Sequence, residues 1–523
     1  MEEKFPMIFG ALESPDNELI AHSLKSINKM IQYNDPDEIL DERKVLKILD
    51  LIGSKNEGVR VNAYHIINSC VVSNEDILTR NIESFRKLVG FIDDKNSRPL
   101  SMDILCKFKN MKDLDDSIFS DFISKLKEPL SDSDGRDRGN SLVIISNLII
   151  QDKTKEILEA GILEVIIKLL EDENSKTKGN AAWAISQLAL KGEARKAVEA
   201  GAVESILENL YDEYDRTVYN FLYTLGELAG NGEAGAILRA GALPKLIEFL
   251  DDDDINKLSY TMYVIGKIAE GGGAGELMDM AVHEELLEIL EKDNERGKAD
   301  ALWTLGMIAK QGYSKKILDE EKISKIAGYL EDDDGRVREN SAEALGNIAE
   351  GGMKKEVIEA GAIPRLMELL DDDDINERSS VLYSIGQIAE GAEAGKLMDE
   401  GVHEELMEIL EKENERGRTD GLGTLGMVAK QGNSKKTFDD GMKLKIVDNI
   451  EKDDEVLRES PAEEEELVEC FECGNLIPVS APVCTHCGAR FEIALECPRC
   501  GAVLEGNPVA CPLCGAEFET VLK

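Results

Sequence analysis

Ten cysteines are present, and eight of them fall after residue 469. They form four Cys-x-x-Cys knuckles: Cys470/Cys473, Cys484/Cys487, Cys497/Cys500 and Cys511/Cys514. Ten residues separate the inner cysteines of the first two knuckles, and ten separate those of the last two. A glycine follows the second cysteine of each, at 474, 488, 501 and 515. Four thiolates satisfy a tetrahedral zinc ion, and the glycine lets each knuckle turn so that backbone N–H groups face sulfur. A tetrahedral set of four sulfurs also suits iron. Disulfides are the competing chemistry, at home in an oxidising compartment. With every coordination position filled by protein, no place is left for a reacting water, so a metal here is structural. It supplies folding energy to a segment too short to bury a core of its own. His486 sits in a knuckle already furnished with two thiolates and is not needed as a ligand. Cys70 and Cys106 lie in apolar helical stretches and read as core residues.

Catalytic chemistry finds less support. The five histidines are His22, His65, His283, His403 and His486, and the sequence gathers no cluster from them. There is no nucleophile elbow, phosphate loop or metalloprotease motif. The net charge is -44, from 105 acidic and 61 basic residues. That excess repels phosphate and forfeits counterion release, so direct nucleic-acid binding is not expected. An anionic membrane surface is disfavoured for the same reason. No apolar run is long enough for a transmembrane helix. The N-terminus lacks a basic region followed by an apolar core, so a cytoplasmic protein is expected.

The charge is concentrated. It is -7 over residues 1–160, -26 over 161–450, -7 over 451–467 and -4 over 468–523. The middle segment repeats every forty residues. Gly161-Ile162-Leu163-Glu164 returns as Gly201-Ala202-Val203-Glu204, Gly241-Ala242-Leu243-Pro244 and Gly361-Ala362-Ile363-Pro364. Weaker copies start at Ala281, Glu321, Gly401 and Gly441. Val282-His283-Glu284-Glu285-Leu286 recurs as Val402-His403-Glu404-Glu405-Leu406, as if 201–320 had been copied into 321–440.

Each unit reads as a short helix ending at the opening glycine, a second helix, an acidic turn and a longer third helix. The third helix is placed at Arg378 to about Glu390 in one copy, and Asn62, Ser101 and Asn140 are expected to begin similar helices earlier in the chain. One unit cannot cover its apolar faces alone, but stacked units can, which predicts an all-α, right-handed solenoid. Glycines at 226, 266, 306, 346, 386 and 426 recur inside the third helix. Each costs roughly 1 kcal/mol of helix propensity against alanine, and close helix packing explains them. The acidic turns 251–254, 332–334 and 371–374 lack the alternating ligands and glycine of a calcium loop. They are expected to be a solvated edge, with steering of a basic protein as the alternative.

Ala344-Leu345-Gly346-Asn347-Ile348-Ala349 resembles the third-helix motif of the armadillo/HEAT repeat family, and Ala182-Trp183-Ala184-Ile185-Ser186-Gln187-Leu188-Ala189 is a second copy. The resemblance covers 161–450 strongly and 1–160 weakly. The cysteine module resembles a double zinc ribbon. The domains expected are therefore irregular helical repeats over 1–160, regular forty-residue repeats over 161–450, an acidic linker over 451–467 and a double zinc ribbon over 468–523. The ribbon resemblance implies two structural Zn2+ ions. One is held by Cys470, Cys473, Cys484 and Cys487, the other by Cys497, Cys500, Cys511 and Cys514.

In armadillo proteins of the importin-like kind, third helices line a concave groove, where a Trp and an Asn four residues later hold an extended peptide. Two matching registers exist here. The first holds Trp183, Tyr223, Tyr263, Trp303, Glu343, Tyr383 and Gly423; the second holds Gln187, Glu227, Lys267, Met307, Asn347, Gln387 and Met427. Positions i and i+4 share a helix face. The partner-binding candidates are Trp183, Gln187, Tyr223, Glu227, Tyr263, Lys267, Trp303, Asn347, Tyr383 and Gln387. Core packing of the aromatics is the competing reading.

The function these features imply is a non-catalytic scaffold, adaptor or assembly factor. The solenoid engages one protein partner and the ribbons another. An acidic, chaperone-like shield for a basic client is an alternative, and an enzyme of the HEAT-repeat lyase type is a further one. The domain combination resembles archaeal proteins.

Overall fold

Acidic residues before each third helix, and glycines after it, fix where the helices begin and end. In the computed structural model, residues 5–33, 39–73, 82–107, 116–292, 294–370 and 375–389 are described, together with the backbone of four short strands between 467 and 505. The chain divides into two compact units, Met1–Phe438 and Asp439–Lys523.

The first unit is an all-α solenoid of armadillo/HEAT type. Its regular third helices are Ser175–Leu188, Asp215–Leu228, Ile255–Ile268, Glu295–Ile308, Gly335–Ile348 and Ile375–Ala389. The last starts three residues before Arg378. Each buries a stripe of apolar residues, such as Leu222, Leu225 and Leu228, or Leu302, Leu305 and Ile308, all with no exposure. Neighbouring third helices pack on one another, so each unit's stripe is covered by the next.

The acidic turns are mostly capping devices. The Asp252 carboxylate accepts from the Asp254 N–H at 2.8 Å, and Asp254 in turn accepts from Asn256 N–H at 2.8 Å. Asp332 and Asp334 repeat the pattern at 3.0 and 2.9 Å. Asp172 and Asn174 do the same before the Trp183 helix, at 2.8 and 3.1 Å. A helix start leaves N–H groups without intrahelical partners, and these side chains satisfy some of them. The intervening Asp251, Asp253 and Asp333 are exposed. Residues 371–374 lie outside the described residues.

The same turns tie units together. Arg98, Arg138 and Lys178 reach Asp132, Asp172 and Asp212 at 2.9, 2.7 and 2.6 Å. Each pair spans thirty-four residues and joins one third helix to the next unit's turn. The Arg138–Asp172 and Lys178–Asp212 pairs are mostly buried. A second set of bonds links adjacent third helices. Asn180, Asn220 and Asn340 donate to the carbonyls of Gly139, Gly179 and Ala299 at 3.2, 2.9 and 2.8 Å.

The five third helices from Ser175–Leu188 to Gly335–Ile348 each end in a wide turn whose glycine takes a positive φ, for example 94° at Gly232 and 99° at Gly352. The opening glycine of the next unit does the same, with φ of 94° at Gly201. Two of the weaker copies, at Ala281 and Glu321, solve this differently. Ala281 adopts φ 57° despite its Cβ. Before Glu321 the turn is rebuilt: Leu318 is extended, and Asp319 caps a new helix at Glu320–Gly328.

Asn62, Ser101 and Asn140 lie inside helices rather than at their starts. The helices run Glu57–Ser73, Arg98–Leu105 and Gly135–Ile150. Capping sets two of the boundaries, where Asn56 accepts from Val59 N–H at 3.1 Å and Asp134 accepts from Arg136 N–H at 2.8 Å; the Arg98–Leu105 helix has no side-chain cap and carries Pro99 in its first turn. Cys70 is buried, as its apolar context predicts, whereas Cys106, just past its helix end, is only half-buried. Its thiol donates to the Asp103 carbonyl at 3.3 Å, and burial pushes its pKa up to about 11. A thiol so placed stays protonated and unreactive.

The second unit contains two hairpins. β1 (Leu467–Glu469) pairs antiparallel with β2 (Leu476–Pro478), with Val468 opposite Ile477. β3 (Ala494–Glu496) pairs with β4 (Val503–Glu505), with Leu495 opposite Leu504. The eight cysteines and the acidic linker lie outside the described residues.

Removing a cap tests the structural role of the acidic turns. Asn174→Ala and Asp334→Ala are each expected to lower unfolding free energy by about 1 kcal/mol. Asp333→Ala, which removes no capping bond, should leave it unchanged. Chemical denaturation of the three variants reads the difference.

Candidate partner-binding surface

The first register forms a continuous ladder of rings. Trp183 stacks on Tyr223 with centroids 5.7 Å apart. Tyr223 stacks on Tyr263 at 5.9 Å, and Tyr263 on Trp303 at 6.1 Å. The planes are tilted by only 23°, 14° and 17°. Each ring belongs to a different third helix, so the forty-residue period becomes a ring spacing of about six ångströms. Trp183, at the open end, is 38% exposed, and the other three are half-buried.

The glycines inside the third helices make this stacking possible. A Cβ at Gly226 would lie 2.4 Å from the Tyr263 ring, and one at Gly266 would lie 2.1 Å from Trp303. Tyr263 and Trp303 therefore rest on the bare helix backbone of the preceding unit. At Gly306 and Gly346 the space is taken instead by the next helix itself, at Ala344 and Ser384.

The second register turns towards the ladder. Gln187 and Glu227 are each 7% exposed and Asn347 is 1% exposed. The Tyr263 hydroxyl donates to Glu227 at 2.6 Å. Tyr383 O–H lies 2.8 Å from Asn347 Oδ1 and 2.9 Å from Glu350, two competing acceptors for its one proton. Burial and the Glu227 carboxylate push the Tyr223 phenol up to about 12; the same two causes raise Tyr263 further, and burial with the Glu350 carboxylate raises Tyr383. These phenols remain protonated donors through the whole physiological range. Lys267 lies 5.9 Å from the Tyr263 and Trp303 ring centres and is held by Glu270 at 2.8 Å. Gln387 is half-buried on the Ile375–Ala389 helix. Gly423 and Met427 lie outside the described residues.

Glu227 and Asn347 are thus engaged with the next unit's ring, a relation that the i, i+4 spacing does not show, whereas the Gln187 amide donates to Ser186 at 3.3 Å. A within-chain pairing does signal it. Where the next ring carries a hydroxyl, as at Tyr263 and Tyr383, the residue thirty-six positions earlier is an acceptor, Glu227 or Asn347. Where the next ring is Trp303, that residue is the cation Lys267.

The ladder breaks at Glu343, which stands where a ring is expected. Beside it a hollow of about 360 Å³ is lined by Glu343, Asn347, Glu270, Lys310, Tyr383 and neighbours. Burial pushes the Glu343 carboxyl above the usual carboxylate range, and Glu339 reinforces this. Among the described residues there is no cluster of three or more His, Cys, Asp or Glu able to hold a metal. Nor is any helix among them long and apolar enough to cross a membrane.

Comparison with known proteins agrees with this architecture. Residues 283–386 match the family described as HEAT repeats, and residues 151–190 match the Armadillo/beta-catenin-like repeat. No curated protein is similar to the chain in sequence. Among solved structures, an engineered protein from the Northeast Structural Genomics Consortium, target OR497, superposes with a TM-score of 0.59 at 20% identity. The match covers 74% of this chain and 98% of that one. A second engineered protein, target OR366, is 28% identical over 43% of this chain and 98% of its own, with a TM-score of 0.39.

A methyl group in the ladder's floor tests the packing. Gly266→Ala should displace Trp303, shift tryptophan fluorescence to the red and destabilise the fold by about 1–3 kcal/mol. The chain has only two tryptophans, so Gly266→Ala in a Trp183→Phe background isolates the signal. The Glu343 carboxyl gives a pH test. Its folded pKa is raised, so the folded state favours the protonated form, and stability is lost as pH rises through that pKa. Glu343→Gln should therefore raise the melting temperature at pH 7 relative to the parent and converge with it at pH 4.

Proposed function

We propose that the protein is a non-catalytic, cytoplasmic adaptor or assembly factor whose third-helix surface, concave as in armadillo proteins, holds one protein partner. The aromatic ladder carries this reading. Four stacked rings present their edges along one face, and Trp183 is exposed at its end. Such rings offer a large contact area with little side-chain entropy to lose, which is why aromatics dominate interface energetics. Because the second register is engaged internally, a uniform clamp on a peptide backbone is not the expected mode. A folded partner, or a short peptide over the ladder from Trp183 to Trp303, fits better. No direct contact with nucleic acid or membrane is part of this reading.

The cysteine module is proposed to bind two structural zinc ions and to dock a second protein. Each hairpin supports this, because its two strands flank a knuckle in the sequence: Cys470 and Cys473 between β1 and β2, Cys497 and Cys500 between β3 and β4. The acidic-shield alternative draws on the exposed Asp251, Asp253 and Asp333.

Native affinity purification with mass spectrometry, run on the parent, Trp183→Ala and Trp303→Ala, tests the ladder. Both variants are expected to remain folded and to lose partners that the parent retains; unchanged capture would overturn the reading. Capture should survive a rise from low to high salt, whereas an acidic shield requires it to collapse. Elemental analysis is expected to find two zinc ions per chain, and one after Cys470→Ser with Cys473→Ser.

A further inference from the structure

We propose that the stacked rings relay oxidising equivalents. A one-electron radical oxidant that strikes Trp183 draws an electron through the stack, and the radical comes to rest on Tyr263 with its proton on Glu227. This function goes beyond the adaptor reading and does not depend on it.

Three observations meet in the stack. First, the rings are continuous. Trp183, Tyr223, Tyr263 and Trp303 follow one another at 5.7, 5.9 and 6.1 Å between centroids. A branch leaves at Tyr223, which meets Tyr260 edge-on at 6.3 Å, and Tyr260 stacks on Tyr219 at 5.8 Å. Both tryptophans of the chain and four of its eleven tyrosines are therefore in one cluster. Indole and phenol give up a single electron readily. Rings in near contact pass it in short hops, where one jump over the whole span would be slow.

Second, two of the phenols are bonded to a base. Tyr263 O–H donates to Glu227 at 2.6 Å, and Tyr219 O–H donates to Asp254 at 2.5 Å. Glu227 is only 7% exposed. A phenol that loses an electron becomes a strong acid. A short, charge-assisted bond lets its proton cross to the carboxylate with no rearrangement. The products, a phenoxyl radical and a carboxyl group, are each uncharged, which suits a site largely closed to water.

Third, exposure falls inward along the stack. Trp183 is 38% exposed at the open end, while Tyr223 and Tyr263 are half-buried. An oxidant in solution meets Trp183 first, and the resting radical is shielded.

The steps balance. The oxidant gains one electron and leaves an indole radical cation at Trp183. An electron from Tyr263 passes by way of Tyr223 and restores Trp183. The Tyr263 O–H bond breaks, and its proton joins Glu227. A one-electron donor from solution, such as ascorbate, then reduces the phenoxyl, and Glu227 returns the proton.

Pulse radiolysis of the full-length protein tests the relay, with the azide radical as oxidant because it attacks indole in preference to phenol. A Trp303→Phe background leaves Trp183 as the single indole. Indole-radical absorption should decay as phenoxyl absorption grows, with one first-order rate constant that is independent of protein concentration. Tyr223→Phe keeps the ring and removes the bridging phenol, and should slow the transfer about tenfold. Glu227→Gln keeps an acceptor for the Tyr263 hydroxyl but cannot take its proton. It should slow the transfer several-fold and make the rate depend on buffer concentration, as the parent rate does not. Tyr33→Phe, at a tyrosine 84% exposed and outside the cluster, should match the parent. Circular dichroism confirms that each variant folds.

Indole decay without phenoxyl growth, a rate that scales with protein concentration, or an unchanged rate in Tyr223→Phe would overturn the relay. An unchanged rate in Glu227→Gln would overturn the proton's assignment to that carboxylate. Partner capture reads none of these quantities, so the adaptor reading and the relay can fail separately.

Discussion

The constraint on which the rest of the solenoid depends is the close approach of successive third helices. Gly226 and Gly266 remove the side chain that would hold the next helix away, and the vacated space is filled by Tyr263 and Trp303. Once the helices are that close, their side chains can bond to one another's backbone. The asparagines at 180, 220 and 340 donate to carbonyls of the preceding third helix. Thr224 and Thr304 do so one turn further on, reaching Ala182 and Met262 at 2.8 and 3.2 Å. Such bonds are short-range and buried, so they hold register between units that otherwise meet through interchangeable apolar stripes. The same glycine thus fixes helix spacing and sets the pitch of the rings.

Charge plays two separate parts in this framework. The excess of acid looks at first like one negative surface. In the turns it resolves into alternating roles. Asp252, Asp254, Asp332 and Asp334 bond to backbone N–H groups at helix starts, while Asp251, Asp253 and Asp333 face solvent. The capping carboxylates would be needed in a protein of any net charge, because helix termini demand acceptors. The solvent-facing ones contribute to the charge of the edge without being required by the fold. The acidic count therefore overstates how much of the surface is free to act on a partner.

Much of this was legible in the sequence. The forty-residue period, the order of three helices, the role of the third-helix glycines and the alignment of Trp183, Tyr223, Tyr263 and Trp303 all follow from spacing. Helix starts are less legible, as at Asn62 and Asn140, because a cap such as Asn56 or Asp134 decides the boundary rather than the resemblance between units. The burial of Gln187, Glu227 and Asn347 was not legible from the i, i+4 rule. That rule describes one helix, and the groups that engage Glu227 and Asn347 arrive from the next.

The inter-unit relation also gives the ladder its direction. Tyr263, Trp303 and Tyr383 are each met by a second-register residue of the preceding unit, Glu227, Lys267 and Asn347. Trp183 begins the stack and is the ring most open to solvent. Trp303 ends it, with Lys267 beside its face and no ring following at position 343. A surface built this way is not uniform along its length. It has a stretch of stacked rings, where Glu227 and Glu270 already engage Tyr263 and Lys267, followed by a polar interruption, where Asn347 Nδ2 has no partner. Apolar contact over the first stretch needs no matched donors. Over the second, burying an unpaired carboxylate and an unpaired amide is unfavourable unless the incoming group supplies both a donor and an acceptor. On the adaptor reading proposed above, the first stretch adds affinity and the second discriminates among partners.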